Sequence, residues 1–149
     1  MKRMICLAAL TLLLAVAARA DAPKLPSPED KLSAQVAEAK WVVPKVPGMP
    51  PGPMASPIAA DPTSGASIAY TKLPAGYTLP LHWHSTTEYT VLISGKATLK
   101  VDGKPIDVAP GTYVVIPPKS QHELTCASGS ECLLLTRRSG PTDYNWVVK

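Results

Sequence analysis

An all-β protein, a sandwich or small barrel of short antiparallel strands, is the fold class this sequence predicts. Three observations carry that expectation. Seventeen prolines in 149 residues are hostile to long helices and to central strands. Apolar and polar residues alternate in short runs, as with Ala97, Leu99 and Val101 against Lys96, Thr98 and Lys100. Turn signals separate such runs, Asp102-Gly103 being a strong two-residue hairpin signal. No internal repeat and no parallel βαβ rhythm competes with this reading.

Taken in chain order, residues 1–20 read as a secretory signal peptide. Lys2 and Arg3 precede an uncharged apolar run from Met4 to Ala18, and Ala18-Arg19-Ala20 forms a cleavage site before Asp21. The run of 15 residues is shorter than the about 20 that span a bilayer. Cys6 lies before most of that run, so a lipid-anchored cysteine does not fit, and there is no twin-arginine pair. The expected location is periplasmic or secreted, with no membrane attachment after cleavage.

Residues 21–62 form a proline-rich arm holding ten of the 17 prolines. A helix is expected inside it, capped at Ser27, with Pro28 at its first position and Glu29 and Asp30 in its first turn. It would run to about Lys40, with Leu32, Val36 and Ala39 on one face. From Trp41 to Pro62 the chain should be extended and wrap another surface. The cluster Trp41-Val42-Val43 argues for docking, because it would be costly to expose.

Residues 63–149 are expected to form the barrel domain. Strands are predicted at Ile68–Leu73, Thr87–Ser94, Ala97–Val101, Lys104–Val108, Thr112–Ile116, Glu123–Cys126, Cys132–Thr136 and Tyr144–Val148. The core should rest on Val91, Ile93, Leu99, Val114, Ile116 and Leu133.

Charge narrows the partners. The whole chain has 15 basic and 11 acidic residues, but the leader takes three basic ones away, leaving 12 against 11. A net charge of +1 gives nucleic acid and anionic membrane no electrostatic motive. A small-molecule ligand or substrate is the partner left.

The three histidines are His82, His84 and His122. In an extended His82-Trp83-His84 both imidazoles share a face while Trp83 points away. Glu88 follows four residues later, and a turn at Ser85-Thr86-Thr87 would return its carboxylate to the histidines. His122 opens another strand after Pro117-Pro118. Three imidazoles and a carboxylate converging in a barrel make a site for one divalent transition metal: iron, manganese, nickel, copper or zinc.

These residues carry a resemblance. Gly76-x5-His82-x-His84-x3-Glu88-x6-Gly95 resembles the first sequence motif of the cupin superfamily. Gly103-x6-Pro110-Gly111, Ile116-Pro117 and His122 resemble the second, departing at Cys126, where an asparagine is often found. The resemblance covers about residues 65–138 and implies a double-stranded β-helix, the cupin or jelly-roll barrel. It implies His82, His84, Glu88 and His122 as metal ligands. The flanks Trp41-Val42-Val43-Pro44, Asp61-Pro62 and Gly140-Pro141-Thr142-Asp143-Tyr144 look like those of small exported single-domain cupins of the ChrR-like type. Pairing of cupins through sheet faces or exchanged N-terminal segments implies a homodimer, with residues 41–58 as candidate contact.

Cys126 and Cys132 flank a hairpin-like loop on what should be adjacent strands, and an oxidising compartment favours a disulfide. A free-thiol pair acting as soft ligands is the alternative. Arg137 and Arg138, as strand neighbours, point to opposite faces and make a poor joint clamp; solvent exposure is expected, with Asp143 a candidate partner for one.

The function expected is an exported mononuclear metal-binding cupin, a dioxygenase-type oxidoreductase acting on a small chelating molecule, with Glu88 as catalytic base. Iron, manganese, nickel or copper would suit it, whereas zinc would favour hydrolysis, isomerisation or lyase chemistry. A non-catalytic, metal-dependent binding module is the alternative, and metal-only superoxide dismutation, as in some plant relatives, is a third.

Overall fold

Alternation of apolar and polar residues, broken by glycine and proline turns, builds short strands that must bury one face against a second layer. The computed structural model describes residues 24–28 and 33–148. Among them lie ten strands: β1 (Met54–Ala60), β2 (Ser67–Leu73), β3 (Thr78–Trp83), β4 (Glu88–Ser94), β5 (Ala97–Val101), β6 (Lys104–Val108), β7 (Tyr113–Ile116), β8 (His122–Cys126), β9 (Cys132–Arg138) and β10 (Asn145–Trp146). They form two five-stranded antiparallel sheets, ordered β1-β2-β9-β4-β7 and β10-β3-β8-β5-β6. This is the expected jelly-roll architecture.

Local chemistry sets the turns. Asp102 and Gly103 both hold positive φ, 47° and 79°, the mirror-image turn that matches the twist of a hairpin, and β5 and β6 pair on either side of it. Gly95 has φ +91°, and a Cβ there would lie 2.5 Å from the Glu131 carbonyl oxygen. Only glycine allows the β4–β5 turn to approach β9 that closely.

Leu73, Leu92, Leu99, Val114, Ile116, Leu124 and Leu134 fill the space between the sheets. Two expected core residues are corrected. Val91 and Ile93 are half-buried on the outer face of β4, while Glu88, Thr90 and Leu92 point inward. The period of two that turns Glu88 toward the histidines necessarily turns Val91 and Ile93 away.

The arm also departs from expectation. Of the helix expected up to Lys40, residues 29–32 lie outside the described residues, and the rest holds a single 3₁₀ turn, Val36–Glu38, after an extended Gln35. The leader and Cys6 lie outside them too. Within the stretch expected as arm, Met54–Ala60 is a strand on the edge of the first sheet. Pro57 lacks an amide hydrogen, and an edge strand tolerates that; the pairing shifts register just after it. Trp41 is half-buried with the Lys72 ammonium 4.4 Å above its ring, but Val42 and Val43 are exposed. Among the described residues no helix is long and apolar enough to cross a membrane.

Between Val42 and Pro53 the chain straps the two sheets together. The Val42 amide and carbonyl both pair with Ala55 on β1. On the other sheet, Trp146 Nε1–H donates to the Pro47 carbonyl at 2.7 Å, and the Tyr77 hydroxyl donates to the Pro50 carbonyl at 2.9 Å. β1 and β10 are the edge strands of their sheets, so the strap crosses the side on which the sandwich is open.

Candidate metal centre

Each histidine is delivered by a strand end. His82 lies near the end of β3, His84 just past it, and His122 opens β8, whose backbone pairs directly with β3 at His82. All three are buried, and one ring nitrogen from each lies within 4.8 Å of the others. Trp83 stands on the opposite face, half-buried.

The backbone selects the tautomer. Nδ1 of His82 lies 2.6 Å from the Pro80 carbonyl, Nδ1 of His122 lies 2.9 Å from that of Ser120, and Nδ1 of His84 meets the Asp143 carbonyl. A carbonyl oxygen only accepts, so each Nδ1 carries the hydrogen and each Nε2 keeps its lone pair. Hydrogen-bonding the far nitrogen in this way is how proteins orient metal-binding imidazoles. Nε2 of His122 is buried and has no hydrogen-bond partner. Burial, reinforced by His122 and His84, pushes the His82 pKa down to about 3, and burial also lowers that of His122. Both rings are therefore neutral ligands at neutral pH, and the donor set fits a first-row divalent ion.

Glu88, at the start of β4, is buried beside the histidines. Its Oε2 lies 3.0 Å from His84 Nε2 and 2.6 Å from Nη2 of Arg138. The same Nη2 reaches His84 Nε2 at 3.3 Å and the Tyr144 hydroxyl at 3.2 Å. Burial alone would raise the Glu88 pKa, but the Arg138 guanidinium outweighs it and holds the carboxyl well below the usual range. Two acceptors 3.0 Å apart persist only where positive charge faces both. Arg138 supplies that charge here, and a bound cation would supply it too.

The expected exposure of Arg138 is thus corrected. Arg137 is exposed and Arg138 buried, on opposite faces as strand alternation requires, but the partner of Arg138 is Glu88 rather than Asp143. Backbone register explains it, because Glu88 on β4 lies directly opposite Arg138 on β9. Asp143 instead accepts from the Ser85 amide and the Asn145 side chain, fixing the carbonyl that holds His84.

Tyr144 and Trp146 complete the site on the C-terminal side. Tyr144 stacks on His82 at 5.0 Å between centroids, and Trp146 lies 5.3 Å from the same ring. Sequence reasoning gave neither a role in the site, and read Tyr144–Val148 as a strand of which only Asn145–Trp146 forms. Cys126 and Cys132 form a disulfide, fully buried within the hydrophobic core; the imidazole cluster does not involve them.

Residues 69–136 match the cupin domain family, Cupin_2. None of the curated proteins compared with the chain matches it by sequence. Solved structures share its fold. The polyketide cyclase RemF from Streptomyces resistomycificus superposes with a TM-score of 0.64 at 17% identity, over 78% of this chain and 85% of its own. A cupin-2 domain from Rhodospirillum rubrum gives 0.63 at 13% identity, covering 85% and 84%. The cupin domain of Cnp3 from Schizosaccharomyces pombe gives 0.62 at 10%, covering 74% and 75%. At these identities the likeness is one of fold. Matched residues, sheet order and structural neighbours together support the cupin superfamily for this barrel.

Proposed function

We propose that this chain is an exported, mononuclear metal-binding cupin that acts on a small chelating molecule by dioxygenase-type oxidoreduction. One observation carries the metal: three buried imidazoles present Nε2 lone pairs to one spot, because main-chain carbonyls hold every Nδ1. Iron, manganese, nickel or copper held there would supply Lewis-acid and redox chemistry to a chelated ligand.

The surrounding residues have definite parts. His82, His84 and His122 hold the ion. Glu88 can join the set, or accept a proton from the ligand, with Arg138 as its neighbouring counter-charge. While paired it is a poor base, and opening the pair restores its basicity. Tyr144 and Trp146 cover the His82 ring and keep water from that side. The leader sequence supports export, and the disulfide is in keeping with an oxidising compartment.

The test is metal analysis of protein purified from a native periplasmic fraction, followed by oxygen uptake with a panel of catechols and enediols. About one redox-active ion per chain and substrate-dependent uptake are expected. Zinc at full occupancy would overturn the oxidoreductase assignment. The tight Glu88–Arg138 pair favours a second reading, a binding module in which nothing reacts; ligand binding without oxygen uptake would decide for it. A homodimer through residues 41–58 is proposed from the exposed Val42 and Val43, and a monomer by light scattering at micromolar concentration would dismiss it.

A further inference from the structure

Two cavities share a wall beside the imidazole cluster. The smaller, about 40 Å³, lies inside the barrel and is bounded by Glu88, His122, Arg138 and Tyr144. The larger, about 200 Å³, lies under the strap, walled by Val46, Met49, Ala55, Ala59 and Ala69. Thr71, Leu73, Leu79, Arg138 and Tyr144 line both. Arg138 is therefore the charged group at their common wall, and its Nε is buried with no hydrogen-bond partner. A donor left without an acceptor beside a cavity calls for a ligand oxygen there.

We propose, building on the metal-centre reading, that the ligand is amphiphilic: an oxygen-bearing head at the histidines and Arg138, and an apolar tail in the strap cavity. The wall is mostly apolar, with Ser67, Thr71 and Thr142 its few hydroxyls, so it favours an apolar tail over a sugar or a second charge. The cavity exceeds the about 150 Å³ that accepts benzene, so a phenyl ring or a chain of about five or six carbons fits. A small sugar acid or free oxyanion would leave the compartment empty.

The experiment uses cobalt(II)-loaded protein and two probes, acetohydroxamate and hexanohydroxamate, with affinities read from the cobalt visible bands. Each buried methylene is worth about fourfold, so hexanohydroxamate should bind up to about 200-fold more tightly. Ala69→Leu fills the strap cavity and should remove most of that advantage while acetohydroxamate binding stays within about twofold. Ala69 lines only the strap cavity, away from the head. Met49→Ala enlarges the compartment and should shift the optimum to a longer chain. Equal affinity for the two probes, or a ratio untouched by both substitutions, would overturn the tail site while leaving the metal centre standing. Failure to bind cobalt would overturn the metal reading, and this inference with it.

Discussion

Replacing Arg138 with methionine isolates the one fully internal charge pair described at the site. The Glu88 carboxylate would then stand in the barrel with its guanidinium partner gone, only His84 beside it. Removing one member of a buried pair costs about 3–5 kcal/mol, because the other is left uncompensated. At about 4 °C per kcal/mol for a domain of this size, the melting temperature should fall by roughly 12–20 °C at pH 8. The pH dependence is the sharper signature. In the native protein the depressed Glu88 pKa contributes stability above the carboxylate range, lost as pH falls through it. Without Arg138, burial dominates and raises that pKa, so the deficit of the variant should shrink as acid neutralises the carboxyl. Urea titrations of metal-free protein at pH 5 and pH 8 measure both effects. Glu88→Gln in the Arg138→Met background should recover half or more of the loss. A deficit below about 1 kcal/mol, or one independent of pH, would refute the account of Arg138 as the counter-charge of Glu88.

His84→Ala should weaken metal binding by more than the about 10–100-fold typical of losing an outer-shell partner, yet keep the native far-ultraviolet dichroism, since the core leucines do not depend on it. Full metal content in that variant would dismiss the site. Metal-free protein should lose stability in acid: His82 and His122 have lowered pKa values, so the unfolded chain takes up protons first as pH drops below about 6.5. His82 alone gives a slope of up to about 1.4 kcal/mol per pH unit between pH 6 and 4, His122 adds to it in the same direction, and a flat profile by denaturant titration would contradict it. Replacing both Cys126 and Cys132 with alanine should cost at least about 2 kcal/mol from the lost loop constraint alone and leave metal stoichiometry unchanged.

Much of the site is legible in the sequence because period-two alternation is local. His82 and His84 share a face by spacing alone, and the described strands deliver His122 to the same place. The same rule, carried two and four residues on from Glu88, selects Thr90 and Leu92 for the interior, and choosing Val91 and Ile93 contradicts it. Arg138 was harder. Arginine is usually exposed, and its partner lies 50 residues away on a strand whose register no local pattern reveals. The available signal was the continuation of the inward positions Leu134 and Thr136. β1 was masked by proline, which argues against central strands but permits an edge. Tyr144 reaches the histidines through a C-terminal segment whose path depends on tertiary packing, with Asp143 tied to Ser85 and His84.

The strap also imposes an order of assembly. Pro47 and Trp146 are 99 residues apart, yet their hydrogen bond fastens the early part of the domain to its last strand. Residues 42–53 precede β10 in the chain but cannot settle until β10 has paired with β3. Closing so wide a loop comes late, because its entropy must be met by contacts that exist only once both sheets stand. Sealing of this seam therefore belongs to the last steps of folding, and the lifetime of the closed barrel depends on contacts made by the two ends of the domain.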